Sequence, residues 1–231
     1  MYVYGGLNAK GDYLNDVWEF YFKKRCWYKN RVVIDGLEDN QGIAYHVCVA
    51  VYEKYKVYNK TGSKYEDLSN YTFLNQQSNL KKSEYVKLFK YQGIFCFGGK
   101  KEDGSCTNEL KVLDISGKTS WLWQKVRANG KPPAPRFYHT MNMYANSRIL
   151  IIHGGRDNNF NYFSDLCAFD LVQLEWIHVI GYTKKVIPRC GHSSAIVGSR
   201  LIVFGGMNPT GFVKGKVQNI QLNHAKIPIV L

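Results

Sequence analysis

The apolar residues of this chain occur in short runs, and four of these runs end in a pair of glycines. The four segments are YVYGG at 2–6, IFCFGG at 94–99, ILIIHGG at 149–155 and LIVFGG at 201–206. Short runs rich in β-branched and aromatic residues, closed by glycine, are typical of β-strands that end in a tight turn. No run reaches the roughly 18 apolar residues that a membrane-spanning helix needs, so the pattern predicts no membrane span.

The glycine pairs are spaced regularly along the chain. Gly98-Gly99, Gly154-Gly155 and Gly205-Gly206 follow one another at intervals of 56 and 51 residues. The first pair, Gly5-Gly6, precedes the next by 93 residues. That interval is too long for one unit and has room for two.

A histidine marks the start of three units. His139 stands 15 residues before its glycine pair, and His192 stands 13 residues before its own. His46 begins a similar segment inside the long interval, and Thr61-Gly62 follow at the place of a degraded pair. The sequence therefore predicts five units, at about 1–30, 41–75, 85–127, 139–180 and 192–231.

Within a unit, the polarity pattern fits four β-strands and no helix. In the fourth unit, the segments HTMNMY, RILIIH, DLCAFDL and EWIHVI are separated by turn signals. Units of four strands that repeat at about fifty residues indicate a β-propeller. The sequence therefore predicts an all-β protein built of four-stranded antiparallel blades. The first blade is expected to lack its inner strand, because the chain starts on a glycine-pair strand.

The flanks of the glycine pairs carry a family resemblance. A tryptophan follows the pair after 21 residues at Trp27 and Trp176 and after 22 residues at Trp121. The segment PPAPRFYHTM at 132–141 places an arginine three residues before the histidine that opens a unit. This arrangement resembles the kelch repeat. The resemblance implies a kelch-type β-propeller whose ring of six blades is completed by sequence outside this chain. A five-bladed or otherwise incomplete ring is the alternative.

The repeated residues are expected to hold the blades together. Glycine supplies a positive φ and bare backbone at a sharp turn, and an outer-strand tryptophan can cover the apolar seam between blades. The repeated histidines are expected to hydrogen-bond a loop rather than to bind a ligand. The structural residues predicted in this way are Gly5, Gly6, Gly98, Gly99, Gly154, Gly155, Gly205, Gly206, Trp27, Trp121, Trp176, His139 and His192.

The chain is basic, with 31 Lys and Arg residues against 18 Asp and Glu residues and a formal net charge of +13. A nucleic-acid partner or an anionic membrane surface would suit this charge. The basic residues are scattered rather than clustered, however, and an abundance of lysine, asparagine and tyrosine is what an AT-rich genome produces. The charge is therefore expected to reflect composition, and nucleic-acid binding remains an alternative.

The six cysteines form no C-x-x-C pair, and Cys48, Cys96 and Cys167 lie inside apolar runs. Free thiols in such runs behave as small apolar side chains, so the cysteines are expected to be free. A disulfide or a metal site is the alternative. The N-terminus also lacks a basic start and an apolar core of a secretory signal. Both observations predict a cytoplasmic protein, with association with the cytoskeleton as one version of that location.

No motif in the chain predicts catalysis or a bound cofactor. SGKTS at 116–120 ends like a phosphate-binding loop, but that loop needs a glycine where Val112 stands and a helix after it. The repeated histidines lie on separate units, where they diverge instead of converging on a metal. The domain itself is therefore expected to have no enzyme activity, no cofactor and no metal.

The loops after the glycine pairs share one face of a propeller with the loops between blades. They are long, differ from one another and mix basic with aromatic residues, which is the composition of an interaction hot spot. The predicted function is therefore a non-catalytic scaffold or adaptor that binds a partner protein through this face. The resemblance leaves a regulatory domain of a larger enzyme, such as a kelch-fused serine/threonine phosphatase, as an alternative. The predicted partner-binding residues are Lys10, Lys101, Arg156, Asn158, Phe160 and Phe212.

Overall fold

The computed structural model describes residues 1–35, 41–51, 90–117, 120–144, 148–179, 186–215 and 217–222. The regular structure of these residues consists of β-strands in four groups, each with one large sheet, and the second group also contains a separate two-stranded sheet of Ile43–Ala44 and Lys100–Lys101. This part of the chain contains no helix that is long and apolar enough to cross a membrane.

The strands are numbered in chain order. The first group comprises β1 (Tyr2–Leu7), β2 (Tyr13–Tyr21) and β3 (Cys26–Lys29). The second comprises β4 (Val32–Asp35), β5 (Ile43–Ala44), β6 (Val47–Val51), β7 (Gly93–Phe97), β8 (Lys100–Lys101), β9 (Leu110–Asp114) and β10 (Trp121–Lys125). The third comprises β11 (Thr140–Met143), β12 (Ile149–His153), β13 (Leu166–Asp170) and β14 (Glu175–His178). The fourth comprises β15 (Cys190–Val197), β16 (Arg200–Asn208), β17 (Gly211–Phe212) and β18 (Val217–Gln221).

The four groups form blades 1 to 4 of a propeller. Blade 3 is a complete antiparallel sheet in the order β11-β12-β13-β14. Blade 2 has the same antiparallel order in β6-β7-β9-β10, and β4 adds a parallel strand outside β10. Blade 1 has the order β1-β2-β3, and in blade 4 β16 pairs with β15, β17 and β18. The predicted all-β fold of four-stranded antiparallel blades is confirmed.

Two predicted units contribute to one blade. The sequence pattern predicts separate units at 41–75 and 85–127, but β6 pairs with β7 along its whole length, with Val47 opposite Phe97 and Val51 opposite Gly93. The inner strand β6 therefore finds its glycine-pair strand in the next predicted unit, and the described residues form four blades where the sequence predicts five units. Residues 52–75, which include Thr61-Gly62, lie outside the described residues.

Successive residues of the central strands face opposite seams between blades. In β12, Leu150 and Ile152 pack against blade 2, whereas Ile149 and Ile151 pack against blade 4. All five residues of β12 are buried as a result. Because both faces of the strand are covered, its sequence is a continuous apolar run instead of an alternation of apolar and polar residues.

Two cysteines of blade 2 are bonded to each other. Cys48 of β6 lies directly opposite Cys96 of β7, and their sulfur atoms form a disulfide. The prediction of free thiols is wrong for this pair, because antiparallel pairing places the two Cα atoms only 4.3 Å apart. The cysteines that are free are Cys26, Cys106, Cys167 and Cys190.

Candidate partner-binding surface

Two of the glycine pairs hold their blade to the next one. The N–H of Gly99 donates a hydrogen bond of 2.9 Å to the carbonyl of Arg136, and the N–H of Gly155 donates one of 2.9 Å to the carbonyl of Arg189. Both acceptors lie just before the inner strand of the following blade. The first glycine of each pair also has a positive φ, 65° at Gly154, which glycine adopts without strain.

In blades 1 to 3, a histidine of the following blade covers the first glycine of the pair. A Cβ placed at Gly154 would lie 2.6 Å from Cε1 of His192, which leaves no room for a side chain. The same arrangement recurs at the two earlier seams. The seam histidines and the glycines that they cover are His46 on Gly5, His139 on Gly98 and His192 on Gly154.

Burial keeps the seam histidines neutral. It lowers the pKa of His139 and His192 to about 3 and the pKa of His46 to about 4. The Arg136 guanidinium lowers the pKa of His139 further, whereas the carbonyl of Phe97 in the preceding blade opposes this shift. Neutral, packed rings fit a structural role. Within the described residues, no group of three or more His, Cys, Asp or Glu side chains could hold a metal ion.

Buried arginines anchor the segments that lead into blades 3 and 4. The Arg136 guanidinium donates to both carboxylate oxygens of Asp165, at 2.7 and 2.8 Å, and to the carbonyl of Gly154 at 3.0 Å. Burial alone would raise the pKa of Asp165, but Arg136 holds it below its ordinary value. Arg189 takes the same position in blade 4 and donates to the neutral Oε1 of Gln218 at 3.0 Å.

Trp123 and Trp176 lie in the seams between blades. The ring centroid of Trp176 lies 5.3 Å from that of Phe97 in blade 2, and the centroid of Trp123 lies 4.7 Å from that of Tyr4 in blade 1. Trp121, which the sequence predicts for blade 2, also packs on blade 1, with its ring centroid 5.5 Å from that of Tyr2. The connection between β9 and β10 is longer than its counterparts in blades 1 and 3. The residue in register with the other seam tryptophans therefore comes two positions later.

Repeat residues at the first and last blades have fewer neighbours. Trp27 packs on Phe20 at 5.0 Å between ring centroids but is 45% exposed. A Cβ placed at Gly6 or Gly205 would meet no described atom within 4 Å. Gly206 still lies against the inner strand of its own blade. The first glycine of a pair is therefore crowded where the following blade covers it, and the second glycine is crowded where the inner strand of its own blade does.

The loops after the glycine pairs hold their own shape. In blade 3 one carboxylate oxygen of Asp157 accepts hydrogen bonds of 2.9 Å from the backbone N–H groups of Asn159 and Asn161. Burial would raise the pKa of Asp157, but these hydrogen bonds hold it below its ordinary value. The side chain of Asn8 accepts the corresponding bonds in blade 1. Such loops are ordered before any partner arrives.

One residue of each loop, the fifth after the glycine pair, adopts a positive φ. It is Gly11 in blade 1 (87°), Gly104 in blade 2 (81°) and Gly211 in blade 4 (115°), but Phe160 in blade 3 (61°). That conformation costs a residue with a side chain about 1–2 kcal/mol. Phe160 is also 66% exposed. A strained and exposed aromatic ring at a position that suits glycine points to a role in binding.

Phe160 covers a cation that follows the glycine pair directly. Cζ of Arg156 lies 4.6 Å from the ring centroid of Phe160 and 4.7 Å from that of the buried Phe137. Two backbone hydrogen bonds of 3.0 Å join Arg156 and Phe137, so the guanidinium and the ring have fixed positions. Nζ of Lys100 lies 5.9 Å from the centroid of Phe137. Two cations from different blades therefore meet at one aromatic ring.

Tyr45 and Tyr138 extend this aromatic cluster. They precede the seam histidines of blades 2 and 3, and their ring centroids are 4.4 Å apart. The N–H of Tyr138 donates a hydrogen bond of 3.1 Å to the carbonyl of Tyr45, and burial raises the pKa of Tyr138 to about 12. We call the surface formed by these residues the loop surface; it comprises Tyr45, Lys100, Phe137, Tyr138, Arg156 and Phe160.

The structure brings part of the predicted binding set together. Nδ2 of Asn158 donates a hydrogen bond of 2.8 Å to the carbonyl of Gly104, which joins the loops of blades 2 and 3. This contact connects the loop of Lys101 to the loop of Arg156 and Phe160. The part of these residues in partner binding remains a prediction.

Lys10 and Phe212 stand apart from that set. Both are exposed, on the loops of blade 1 and blade 4, and Phe212 is 75% exposed. Within the described residues, no hydrogen bond, ion pair or ring contact joins either of them to the loop surface. Sequence reasoning missed Tyr45 and Tyr138, although a signal exists: a tyrosine directly precedes the histidine in YHVCVAV and in YHTMNM.

Comparisons with known proteins agree with this architecture. The family model described as the KLHDC2/KLHL20/DRC7 Kelch-repeats domain matches residues 80–224. The structure of YjhT is similar with a TM-score of 0.51 and 19% sequence identity, over 90% of this chain and 56% of that one. At that identity the likeness concerns the fold alone.

Two curated proteins are similar in sequence over about half of this chain. Acyl-CoA-binding domain-containing protein 5 of Arabidopsis thaliana is 33% identical over 130 residues, which are 56% of this chain and 19% of that protein. The Rab9 effector protein with kelch motifs of Danio rerio is 30% identical over 124 residues, which are 52% of this chain and 35% of that protein. The chain thus matches a minor part of the length of these relatives.

Proposed function

The chain belongs to the kelch-repeat family, and on that premise we propose that it is a non-catalytic module that binds a partner protein through the loop surface. Kelch repeats generally form interaction domains, and this supports binding as the general class of function. Assigning the binding to the loop surface goes beyond this general class. Such an assignment requires a feature that distinguishes these loops from ordinary solvated loops.

Phe160 is the observation that carries the proposal. Three of the four loops have glycine at the position of positive φ, whereas blade 3 has a phenylalanine that is strained and exposed at once. Because the ring is exposed, its burial within this chain does not offset the backbone strain. Burial against a partner would offset the strain, because an aromatic side chain removes a large apolar area from water on binding.

The surroundings of Phe160 fit an interaction site. The loop surface combines aromatic rings with arginine and lysine, the side chains in which binding energy concentrates. Its loops are held by internal hydrogen bonds and by Asn158 across the seam, so little order has to be created on binding. Rigidity before binding raises the affinity that a given contact area can give.

The experiment is affinity capture with the chain as bait, compared with a variant that carries Arg156→Glu and Phe160→Ala. A partner that contacts the loop surface is held by the wild type and lost by this variant. The matched control carries Arg200→Glu and Val197→Ala. It makes the same kinds of change at exposed residues of blade 4, at the strand ends remote from the glycine pair. Thermal melting shows that all three baits are folded.

The control decides what a loss of capture means. Retention of the partner by the Arg200 variant together with its loss from the Arg156 variant supports the loop surface. A partner that both variants retain binds elsewhere, and the proposed surface is then wrong. A partner that both variants lose equally responds to charge alone, which contradicts a site at Phe160.

Activity of a whole polypeptide is a separate question from this module. The matched segments make up 19% and 35% of the two relatives, so kelch repeats of this kind occur inside longer proteins. A regulatory role beside a catalytic domain would use the same surface. A cytoplasmic location stays a prediction, and the Cys48–Cys96 bond removes one of the arguments for it.

A further inference from the structure

The loop surface presents cations whose neighbouring carboxylates have other partners. Asp157 accepts hydrogen bonds from Asn159 and Asn161 in its own loop, and Asp103 accepts one of 2.7 Å from the N–H of Ser105. These carboxylates therefore stabilise the turns on which the cations stand.

The remaining carboxylates near the surface do not neutralise it either. Asp165 is bonded to the buried Arg136 through both oxygens. Glu102 is exposed on the loop of blade 2, and in the described residues it forms no ion pair with Lys100 or Arg156. Asp157 interacts electrostatically with Arg156, but within this part of the chain no carboxylate forms an ion pair with Lys100 or Arg156 at 4.0 Å or less.

The guanidinium of Arg156 is held in a fixed orientation that suits the binding of an anion. One of its N–H groups donates to the carbonyl of Asp157 at 3.2 Å, and within the described residues no carboxylate lies within 4.0 Å of its guanidinium. Stacking on Phe137 and Phe160 fixes the plane of the group. A fixed, planar guanidinium matches a carboxylate with two parallel hydrogen bonds, which a lysine cannot do.

Resting on the proposed function, we propose that the loop surface binds an acidic peptide segment of its partner, with Arg156 receiving a carboxylate and Lys100 a second acidic group. The tyrosines Tyr45 and Tyr138 provide the adjacent aromatic contact for the peptide backbone or for an apolar residue. Charge complementarity of this kind fixes the register of a bound peptide and excludes partners of like charge.

The test uses a fluorescein-labelled dodecapeptide with five glutamates and one leucine, titrated with the whole chain in fluorescence anisotropy. A second peptide has glutamine at each glutamate position, and a labelled twelve-nucleotide oligothymidine serves as the nucleic-acid probe. Each probe is titrated at low and at near-physiological salt. The variants are Arg156→Gln and, as a control with the same change of charge, Arg200→Gln.

The expected result is that the glutamate peptide binds at least tenfold more tightly than the glutamine peptide. Arg156→Gln is expected to weaken its binding by tenfold or more, because a charge-assisted, bidentate contact is lost. Arg200→Gln is expected to change binding by less than twofold, since it alters only the distant charge. A further variant, Phe160→Gly, should also weaken binding while it keeps the fold.

Three outcomes would overturn the proposal. Equal weakening by Arg156→Gln and Arg200→Gln would mean that net charge alone attracts the peptide. Equal binding of the two peptides would mean that carboxylates are not recognised. Tighter, Arg156-dependent binding of the oligothymidine would assign the surface to nucleic acid. The first two results leave a partner captured through Phe160 unaffected, so failure of this inference is distinguishable from failure of the proposed function.

Discussion

Substitution of Gly154 by alanine tests the seam between blades 3 and 4. A Cβ at this position would lie 2.6 Å from Cε1 of His192 and 2.8 Å from the carbonyl oxygen of Arg189, where 3.4 Å or more is ordinary contact. Gly154→Ala therefore lowers the free energy of unfolding through two terms, the strain of a positive φ and the overlap with the next blade. The first term is about 1–2 kcal/mol, and overpacking of a tight contact adds about 1–3 kcal/mol.

Gly205 supplies a matched control within the same chain. It takes the position of Gly154 in blade 4 and has nearly the same φ, 69° against 65°. A Cβ there would meet no described atom within 4 Å. Gly205→Ala therefore carries the backbone strain without the overlap. The difference between the two variants isolates the contact between blades.

Thermal melting followed by tryptophan fluorescence measures both terms. A domain of this size loses roughly 2–4 °C for each kcal/mol. Gly205→Ala is expected to lower the midpoint by roughly 2–8 °C, and Gly154→Ala by a further 2–12 °C or so. The added change His192→Ala should recover part of the second loss, because it removes one of the two overlapping atoms. Equal midpoints for the two alanine variants would refute the close approach of His192 to Gly154.

Two further predictions concern the charges in the seams. The seam histidines have pKa values of about 3 to 4 when folded, so each binds a proton more readily in the unfolded chain and stability falls as the pH drops below about 6.5. For a ring such as His139 the loss is about 2 kcal/mol at pH 5. Urea midpoints should fall between pH 7.5 and pH 5, and midpoints that stay constant would contradict the burial of these rings. Asp165→Ala removes the carboxylate bonded to Arg136 and is expected to cost about 1.5–3 kcal/mol, against about 0.5–1.5 for Gln218→Ala, which removes a neutral acceptor. A larger loss of unfolding free energy for Gln218→Ala than for Asp165→Ala, in the same urea assay, would contradict the prediction that Arg136 is held more strongly than Arg189.

The sequence predicts the blade architecture well because the signals for strands and turns are local. Each glycine pair directly follows its strand, and the positive φ values of Gly98 and Gly154 are properties of the turn itself. The same reasoning fails where pairing is distant. Nothing in the sequence near β6 shows that its partner is β7, which begins 42 residues after β6 ends. The assignment of 41–75 to a separate unit is the consequence.

Register is the second feature that a local pattern does not fix. The interval from the glycine pair selects Trp121, which packs on Tyr2 of blade 1, but it misses Trp123, which the longer connection before β10 brings into register with Trp176. The disulfide of Cys48 and Cys96 depends on register in the same way, because only direct opposition brings the sulfur atoms together. A shift of one residue would have pointed the two side chains away from each other.

The candidate site was partly visible in the sequence. Comparison of the four loops shows glycine as the fifth residue after the pair in GGLNAKG, GGKKEDG and GGMNPTG, and phenylalanine in GGRDNNF. The unusual residue at position 160 can therefore be found by comparing the loop sequences. The contact of Arg156 with Phe137 cannot be found in this way, because the two residues belong to different loops and meet through backbone pairing.

The proposed binding residues and the scaffold residues alternate along the same short segments, and this arrangement has a physical consequence. Arg136 is held by two blades, since its carbonyl accepts from Gly99 of blade 2 and its side chain donates to Asp165 of blade 3. Phe137, the ring on which the two cations meet, is the next residue in the chain. A Cβ at Gly98 would lie 2.6 Å from the carbonyl oxygen of Arg136. A seam that loosens must displace the surface, so Gly98→Ala should weaken partner binding although Gly98 is not a residue of the loop surface. Titration of the glutamate peptide against that variant, at a temperature where it remains folded, would show unchanged affinity if the surface were independent of the seam.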